Sequence, residues 1–315
     1  MKKSDQVLMP IGRVIVVTGA NGFVGRRLVA ALAEKLHGNL VVAVVRSGNG
    51  VLEWKKYPNV NVITGDLRHG DVWKALPENA THVCHAAAVI PELDQNNGNA
   101  DMIMDNLAPV ANLLEAASRW KSLSQIVFSS SVSVYSAPGG MVTEETVTVP
   151  RTAYGAAKLA GEDILKCLLA RGVSVACLRY SSIYGPGQKQ GTVLPTMIEG
   201  AVRDRRITVH GKGRRTQDFV YRDDVADANI LAIEKNASGV FNIGSGVPTS
   251  MWELACSIND VFSNRSANVD ADEGYPEGES FRMEIAKAER CLGYAAEVTL
   301  LEGLRRIKEY GMVED

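Results

Sequence analysis

Short apolar segments alternate with helical patterns along the first 180 residues of this chain. Each segment is rich in β-branched residues and runs apolar without alternation, which indicates a strand buried on both faces. Such strands form parallel sheets, because the helices that connect them cover both faces. The chain is therefore predicted to be an α/β protein with a doubly wound parallel sheet. The predicted strands lie just before Gly19 and at residues 40–46, 60–67, 82–88, 125–131 and 173–180.

The alternation weakens after about residue 180, which indicates a second structural unit. We predict a Rossmann-type dinucleotide-binding domain at residues 1–180, with returns to its sheet near 215–245. Residues 181–315 are predicted to form mainly a smaller α/β C-terminal domain that binds substrate. Its predicted elements are a Gly/Pro loop at 181–191, a helix at 193–204, a strand at 206–211, a strand and turn at 241–246, and a helix capped by Thr249 or Ser250.

The composition excludes several functional classes. Hydrophobic residues make up 46% and charged residues 22% of the chain, and the formal net charge is −2. This balance gives no bulk electrostatic attraction to nucleic acid or to an anionic membrane. The N-terminus lacks the apolar core of a signal peptide and no apolar run is long enough to span a bilayer, so a cytoplasmic location is expected. The 5 cysteines are scattered without C-x-x-C spacing, and neither a metal site nor a disulfide framework is predicted.

A glycine loop follows the first predicted strand in the segment VVTGANGFVG. Gly19, Gly22 and Gly25 recur at every third position, directly before a predicted helix. Residues without Cβ allow the tight turn and let a diphosphate approach backbone N–H groups at the helix N-terminus. The strand–loop–helix context favours a dinucleotide site over a plain βα turn.

The end of the second predicted strand carries Arg46 where dinucleotide folds commonly place an acid for the ribose hydroxyl. A guanidinium suits a 2′-phosphate, so NADP is favoured and NAD stays possible. The alternative is an arginine that stacks on the adenine or points into water. Asp66 and Leu67 end the third strand and are predicted to contact the adenine, although Asp66 also fits a simple turn residue.

Ser131, Tyr154 and Lys158 form a candidate reacting trio. Tyr154 and Lys158 lie one helical turn apart on the same face. Lowering a tyrosine pKa from about 10 to about 7 requires about 4 kcal/mol, which one cation at about 4 Å supplies at an effective dielectric constant of about 20. Ser131 would hold the reacting oxygen, with Ser130 or Ser133 as alternatives. Two solvated side chains on a surface helix are the competing interpretation of the tyrosine and lysine.

The combined motifs resemble the extended short-chain dehydrogenase/reductase family, in particular its nucleotide-sugar epimerase, dehydratase and reductase branch. The resemblance covers nearly the whole chain. Besides the glycine loop it rests on SSSVSVY, YGAAK, HAAA at 85–88, DNLAPVANLLEAA at 105–117, LRYSSIYGPGQ at 178–188, DFVYRDDVADA at 218–228, FNIGSG at 241–246 and AERCLGY at 288–294.

The resemblance implies that Tyr154 is the acid/base, that Lys158 binds the nicotinamide ribose and lowers the tyrosine pKa, and that Ser131 fixes the oxygen. Asn106 would steady the loops near the cofactor or serve only as a cap or packing residue, and His85 is expected to be structural. A homodimer through residues 100–118 and 154–171 is also implied. The predicted cofactor-binding residues are Gly19, Asn21, Gly22, Phe23, Val24, Gly25, Arg46, Asp66, Leu67, Ala86, Ala87, Ala88, Asn106, Ser129, Ser130, Tyr154, Lys158 and Tyr180. The predicted substrate-binding residues are Ser131, Ser133, Ser182, Val193, Arg214, Arg215 and Gln217.

The chain departs from the family pattern at the positions that decide the reaction. Val132 and Ser133 stand where the sugar dehydratases carry an acidic pair, so dehydration is not expected. Ser182 and Gln217 replace an asparagine and an arginine that grip the diphosphate. Arg214 and Arg215 would substitute for the missing arginine, unless both are solvated.

Two enzymatic hypotheses and one binding hypothesis follow. The first is a nucleotide-sugar epimerase that transiently oxidises C4 of the hexose, and the SSSVSVY segment favours it. The alternative is an NADPH-dependent 4-ketoreductase of a nucleotide-linked sugar or another bulky ketone, which Arg46 favours. A catalytically inactive module that senses its dinucleotide would not need the reacting trio, so it is the least favoured.

Overall fold

The structure is a computed structural model that describes residues 12–36, 38–48, 51–90, 100–135, 140–204, 206–263, 268–276 and 278–311. The N-terminal segment used above for the signal-peptide prediction lies almost wholly outside these ranges. None of the described helices combines the length and the apolar character needed to cross a membrane.

Strands and helices alternate through the first half of the described chain and mix less regularly afterwards. The strands are β1 Val14–Thr18, β2 Leu40–Val45, β3 Val60–Thr64, β4 His82–His85, β5 Gln125–Ser131, β6 Met141–Val142, β7 Ser174–Tyr180, β8 Ser182–Tyr184, β9 Arg206–His210, β10 Thr216–Tyr221, β11 Gly239–Ile243, β12 Pro248–Ser250, β13 Asn268–Asp272 and β14 Arg282–Met283. The α-helices are α1 Phe23–Lys35, α2 Gly70–Lys74, α3 Ala100–Arg119, α4 Ala153–Lys166, α5 Val193–Glu199, α6 Arg222–Glu234, α7 Met251–Phe262, α8 Ala286–Leu292 and α9 Leu300–Tyr310.

The main sheet has 7 strands in the order β3-β2-β1-β4-β5-β7-β11. Every pairing within it is parallel. The strand order reverses between β1 and β4, and in open α/β sheets ligands bind at the carboxyl ends of the strands beside such a reversal. The prediction of a doubly wound parallel sheet is confirmed.

Alternate residues of the strands supply the cores on the two faces of this sheet. Ile15 and Val17 of β1 pack in one cluster with Leu28 and Leu32 of α1. Val16 belongs to the cluster on the other face, which α2, α3 and α4 cover. Burial on both faces explains why the strand segments are apolar without alternation.

The remaining strands form smaller sheets around a third core. The order β12-β10-β8 makes a sheet of 3 strands, and β13 pairs with β9. Leu254 and Ile258 of α7 pack there with Leu194 of α5 and Leu304 of α9. A further short pair joins β14 to β6.

Two local predictions need revision in this half. Residues 181–191 were expected to be a loop, but Ser182–Tyr184 forms β8, because these residues pair in parallel with β10. The helix predicted at 193–204 ends as an α-helix at Glu199 and continues as a π-helix over Gly200–Asp204. Of the two capping residues proposed for α7, Ser250 forms the cap in a capping box with Glu253. The domain boundary at residue 180 stays a prediction.

Candidate active site

The glycine loop between β1 and α1 forms a cradle that side chains would fill. Gly19 has a φ of +65°, and a Cβ there would lie 2.6 Å from the Ala87 Cα atom. A Cβ on Gly25 would lie 2.1 Å from the Gly19 carbonyl oxygen. Gly22 precedes α1, and its position has no side chain that could cap the helix. The first turn of α1 also holds no acidic residue, so the backbone N–H groups of that turn can bind an anion. These features fit a dinucleotide diphosphate, with Asn21, Phe23 and Val24 completing the turn.

The ends of β2 and β3 form the predicted adenine side of the site. Arg46 follows β2 and is exposed, as are the two residues after it. Asp66 follows β3 and is engaged by Arg68, whose Nε and Nη2 lie 3.0 and 2.6 Å from its Oδ2. This pairing lowers the pKa of Asp66 to about 2. The Leu67 carbonyl accepts hydrogen bonds from two side chains, so the rim after β3 is fixed by contacts within the protein.

Ala86, Ala87 and Ala88 form the segment that follows β4, beside Gly19. The Ala87 N–H donates to the Thr18 Oγ1 over 3.3 Å. Asn106 of α3 accepts from the Val89 N–H and donates to the Val89 carbonyl, at 3.1 and 3.0 Å. The asparagine therefore clamps this segment, which is the arrangement expected of a loop-steadying residue.

His85 lies beneath the same segment between two aromatic rings. Its ring stacks with Trp73 and Phe128, at centroid distances of 6.4 and 5.8 Å. Burial and the nearby Lys158 ammonium lower the His85 pKa to about 3, so the imidazole is neutral at ordinary pH. Its Nδ1 lies 3.0 Å from the Thr18 Oγ1. His85 thus supports the floor of the site.

The structure brings Ser131 and Tyr154 together where β5 ends and α4 begins. Thr152 caps α4 by accepting from the Gly155 N–H over 3.0 Å. A Cβ on Gly155 would lie 2.2 Å from the Ser133 carbonyl oxygen, so glycine allows the helix to start against the β5 extension. Burial raises the pKa of Tyr154 to about 12, and a hydrogen bond with Ser131 partly offsets this. The Ser131 Oγ also donates to the Ser133 Oγ over 3.1 Å.

Lys158 is buried below Tyr154, with 3% of its surface exposed. Its Nζ donates to the Ser129 carbonyl over 2.7 Å and lies 5.7 Å from the Tyr154 ring centroid. Burial lowers the Lys158 pKa to about 8, against the attraction of Glu162. The ammonium is therefore a cation held within reach of the tyrosine in an apolar surrounding.

The electrostatic requirement on Tyr154 is larger than its sequence suggests. Lowering its pKa from about 12 to about 7 requires about 7 kcal/mol, whereas one charge at about 6 Å supplies about 3 kcal/mol at an effective dielectric constant of about 20. Burial thus adds to the electrostatic requirement, and the charge of Lys158 alone does not meet it. A positive nicotinamide ring and hydrogen bonds to the phenolate would have to supply the rest.

The hydroxyls of Ser129, Ser130 and Tyr180 make hydrogen bonds to other side chains of the protein. The Ser130 Oγ donates to a Glu162 oxygen over 2.5 Å on the face that α4 covers. The Tyr180 hydroxyl accepts from the Asn229 amide over 2.9 Å and lies 3.3 Å from the Ser129 Oγ. Ser130 is 2% exposed, so the structure favours Ser131 or Ser133 as the serine beside the reacting oxygen.

The two unusual positions on the substrate side contact each other. The Gln217 Nε2 of β10 donates to the Ser182 Oγ of β8. The Gln217 Oε1 accepts from Arg215 over 3.1 Å, and the Arg215 Nε donates to the Glu279 carbonyl over 3.3 Å. Arg214 is exposed, and Val193 begins α5 at a partly buried position. The structure thus places a guanidinium beside the two substituted side chains.

Comparison with known proteins identifies the family. A family model described as the NAD dependent epimerase/dehydratase family matches residues 15–244. The chain belongs to this family. A putative UDP-glucose 4-epimerase of Methanocaldococcus jannaschii is 31% identical over 308 residues, which cover 93% of this chain and 97% of that protein. A UDP-N-acetyl-alpha-D-glucosaminuronate decarboxylase of Bacillus cytotoxicus is 24% identical, over 92% of this chain and 95% of its own length.

A solved structure extends the comparison to three dimensions. The UDP-glucuronic acid 4-epimerase of Bacillus cereus, in complex with UDP-glucuronic acid and NAD, superposes with a TM-score of 0.84. The two chains are 28% identical, and the match covers 94% of this chain and 98% of that one. The resemblance to the extended short-chain dehydrogenase/reductase family is confirmed.

Two buried residues near the trio of this epimerase/dehydratase family member were missed from the sequence. Glu162 is fully buried and Arg179 is 4% exposed. A signal existed for Glu162, which follows Lys158 by four residues and therefore shares its helix face. Arg179 is the last residue but one of β7, and the apolar residues of that strand determined its interpretation.

Proposed function

We propose that this protein is an NAD-dependent nucleotide-sugar epimerase that inverts C4 of a hexose through transient oxidation. The observation that carries the proposal is the convergence of Ser131, Tyr154 and Lys158 at the end of β5, near the glycine loop. The names of the Methanocaldococcus and Bacillus cereus relatives support a 4-epimerase, and the absence of a carboxylate at Val132 and Ser133 argues against dehydration.

The proposed chemistry assigns one role to each member of the trio. Tyr154 takes the proton of the C4 hydroxyl while the hydrogen on that carbon leaves as hydride. Ser131 donates a hydrogen bond to the resulting ketone oxygen, and Lys158 supplies the positive potential that favours the phenolate. The bound dinucleotide supplies the hydride acceptor and then the donor. Return of the hydride to the opposite face of the ketone, with the proton returned from Tyr154, gives the epimer without net oxidation.

The proposal for the cofactor has two parts: which residues hold the dinucleotide, and whether its adenosine ribose carries a 2′-phosphate. The residues of the glycine loop, the 86–88 segment, Asn106 and Lys158 are proposed to hold a nicotinamide adenine dinucleotide. Arg46 favours NADP by its charge, whereas the solved Bacillus cereus relative holds NAD. An Arg46→Ser variant should lose about 10–100-fold in NADP affinity and little in NAD affinity, if the arginine pairs with the phosphate. Equal losses for both cofactors, measured by fluorescence titration, would leave Arg46 without that role.

We propose that the substrate is a UDP-sugar, as in the names of the relatives, and that Arg215 supplies the cation for its diphosphate. Arg215 is held by Gln217 and by the Glu279 carbonyl, and burial lowers its pKa, which indicates a partly desolvated guanidinium. Ser182, Ser133, Val193 and the exposed Arg214 are proposed to line the same cleft. A bidentate guanidinium is well suited to phosphate oxygens.

The function is tested by incubation with UDP-glucose, UDP-galactose, UDP-glucuronic acid and UDP-N-acetylglucosamine, followed by proton NMR. Formation of the C4 epimer without added reductant is the expected result. Stoichiometric NADPH consumption with a 4-keto sugar, and no epimer, would instead assign the ketoreductase activity. Release of carbon dioxide from UDP-glucuronic acid would also contradict epimerisation. The Tyr154→Phe variant serves as the inactive control.

A homodimer through α3 and α4 is the proposed assembly. These helices pack side by side, and Met104, Ala111 and Ala156 are exposed small or apolar residues on them. Met104 is 59% exposed. A Met104→Glu variant should sediment as a monomer, whereas Leu301→Glu on α9, also an exposed apolar position, should not change the assembly. A wild-type monomer at micromolar concentration would contradict the proposal. The cytoplasmic location stays a prediction.

A further inference from the structure

A row of buried polar residues crosses three strands directly beneath the candidate active site. Ser130 of β5 pairs in register with Arg179 of β7, which pairs with Asn242 of β11. All three are at most 4% exposed. Residues in register on parallel strands point to the same face, and here that face is covered by α4. Polar residues in such a position need internal partners, because burial without them is costly.

Glu162 of α4 supplies the central partner of this row. Its Oε2 accepts from the Arg179 Nη2 over 2.7 Å, and its Oε1 accepts from the Arg179 Nε over 2.9 Å. The Ser130 Oγ donates to the same Oε1. Arg179 also donates to the Tyr135 hydroxyl over 2.8 Å, and Tyr135 donates to the Asn242 Oδ1 over 2.8 Å. Every polar atom of the carboxylate is thus fixed by directional contacts.

The position of Glu162 relative to the trio gives this network a role beyond packing. Tyr154, Lys158 and Glu162 follow one another at intervals of four residues, so they share one face of α4. Lys158 stands between Tyr154 and Glu162 along the helix, and the charge of Glu162 favours the charged form of the lysine. Burial of an ammonium opposes its charge, so a fixed nearby carboxylate offsets part of that cost.

We propose that Glu162, locked by Arg179, is a positioning residue whose carboxylate, one helical turn from Lys158, keeps that buried side chain a cation, so that its charge stays available to Tyr154. Glu162 acts through the lysine and does not contact substrate. The role rests on the proposed function only in assuming that Tyr154 ionises during turnover. It extends the reacting trio to a charged row of Tyr154, Lys158, Glu162 and Arg179.

Several other titratable groups surround this row. The Glu144 Oε1 accepts from the Asn242 N–H over 2.8 Å at the β11 end of the row. His85 faces Lys158 from β4, and its lowered pKa keeps it uncharged. Cys177 of β7 faces Glu162, and burial raises its thiol pKa to about 12. Burial also raises the pKa of Tyr135. Lys166 is a more distant cation on α4, paired with Asp163 over 2.8 Å. Within the row, the Lys158 Nζ lies 5.7 Å from the Tyr154 ring centroid, so Lys158 is the charge that stands beside the tyrosine.

The test measures the ionisation of Tyr154 itself. The protein is saturated with oxidised NAD or NADP, and ultraviolet phenolate absorbance is titrated against pH in two backgrounds, with Tyr154 present and with Tyr154→Phe. The difference isolates Tyr154. The double variant Glu162→Gln/Arg179→Met removes both buried charges together, so neither is left unpaired. Asp163→Asn is the matched control, since it removes an exposed carboxylate from the same helix.

The double variant is expected to raise the Tyr154 pKa by about one unit, a tenfold weaker acid, while Asp163→Asn leaves it unchanged. A folded double variant with an unmoved Tyr154 pKa overturns the proposal and leaves the pair a purely structural role. If the double variant does not fold, Glu162→Asp, which withdraws the carboxylate but keeps its charge, should give a smaller shift in the same direction, and no shift again overturns it. The titration needs no sugar substrate, so it stands even if the epimerase assignment fails.

Discussion

At the scale of single residues, burial changes the acidity of both Tyr154 and Lys158, because it raises the pKa of the first and lowers the pKa of the second. The spacing of Tyr154 and Lys158 was enough to predict that they share a helix face. It could not show that burial raises the Tyr154 pKa to about 12 or lowers the Lys158 pKa to about 8, because burial depends on contacts distant in sequence. The sequence also left open which of Ser130, Ser131 and Ser133 holds the reacting oxygen. Only the structure shows that the Ser130 hydroxyl donates its hydrogen bond to Glu162.

Removal of the Tyr154 hydroxyl should abolish most of the turnover without weakening cofactor binding. Loss of a positioned acid/base typically costs about 10²–10⁴-fold, so Tyr154→Phe should lower kcat by that range. Tyr275→Phe is the control, because Tyr275 is 56% exposed and its ring lies 4.4 Å from that of His210 on β9. Steady-state kinetics and cofactor titration measure the two effects. A Tyr154→Phe enzyme with near-normal kcat would contradict the assignment of the acid/base.

The Lys158 pKa predicts an alkaline limit to activity. The Lys158 pKa of about 8 lies below the ordinary lysine pKa of 10.5, so the ammonium is charged below about pH 8 and neutral above it. Because kcat/KM reports ionisations of the free enzyme, it should fall as pH rises through about 8. The measurement is a pH profile of kcat/KM in buffers of constant ionic strength. A profile that stays level up to pH 10 would show that the lysine charge is not required.

At the scale of elements, the long strands and helices were predictable because the pattern of apolar residues along each segment indicates its type of secondary structure. β8 was missed, since three residues inside a Gly/Pro-rich segment give no pattern and the strand exists only through its pairing with β10. The glycine loop was predictable for the opposite reason, because Gly19 and Gly25 are required by contacts that any strand–loop–helix turn of this kind makes. Local signals thus predicted the glycine loop better than the short strand β8.

Two alanine substitutions can distinguish the steric clash expected at Gly19 from the cost of its positive φ. Gly19 and Gly172 both have positive φ, at +65° and +76°, but only Gly19 has neighbours where a Cβ would stand. Gly172→Ala should therefore cost only about 1–2 kcal/mol of backbone strain. Gly19→Ala should add a clash with Ala87 and weaken dinucleotide binding more than tenfold. Thermal unfolding and cofactor titration of both variants measure this. Equal effects on cofactor affinity would contradict a cradle at Gly19.

At the scale of the whole molecule, buried carboxylates tie together segments that are far apart in the chain. Asp218 of β10 accepts from the Ser181 hydroxyl and from the N–H groups of Ser245 and Gly246, so it joins the segments after β7 and β11. Asp224 of α6 accepts from the N–H groups at 297 and 298, which precede α9. The sequence shows these acids but not their partners, since no local period relates residues so distant. The doubly wound parallel sheet was predictable, while these long-range contacts were not.

The Asp224 contact should make the stability of the fold depend on pH in a defined direction. Burial raises its pKa from 3.8 to about 6, so the folded protein takes up this proton at a higher pH than the unfolded chain. The contribution of this group to stability therefore grows as pH falls through about 6 towards 4, and is lost as pH rises above 6. Asp224→Asn removes the titration while keeping an acceptor oxygen for the two N–H groups. Urea unfolding at pH 7 and pH 5 should show a gain for wild type that exceeds that of the variant by roughly 1–3 kcal/mol. Parallel changes in the two proteins would mean that Asp224 stays ionised in the fold, with the backbone N–H groups outweighing its burial.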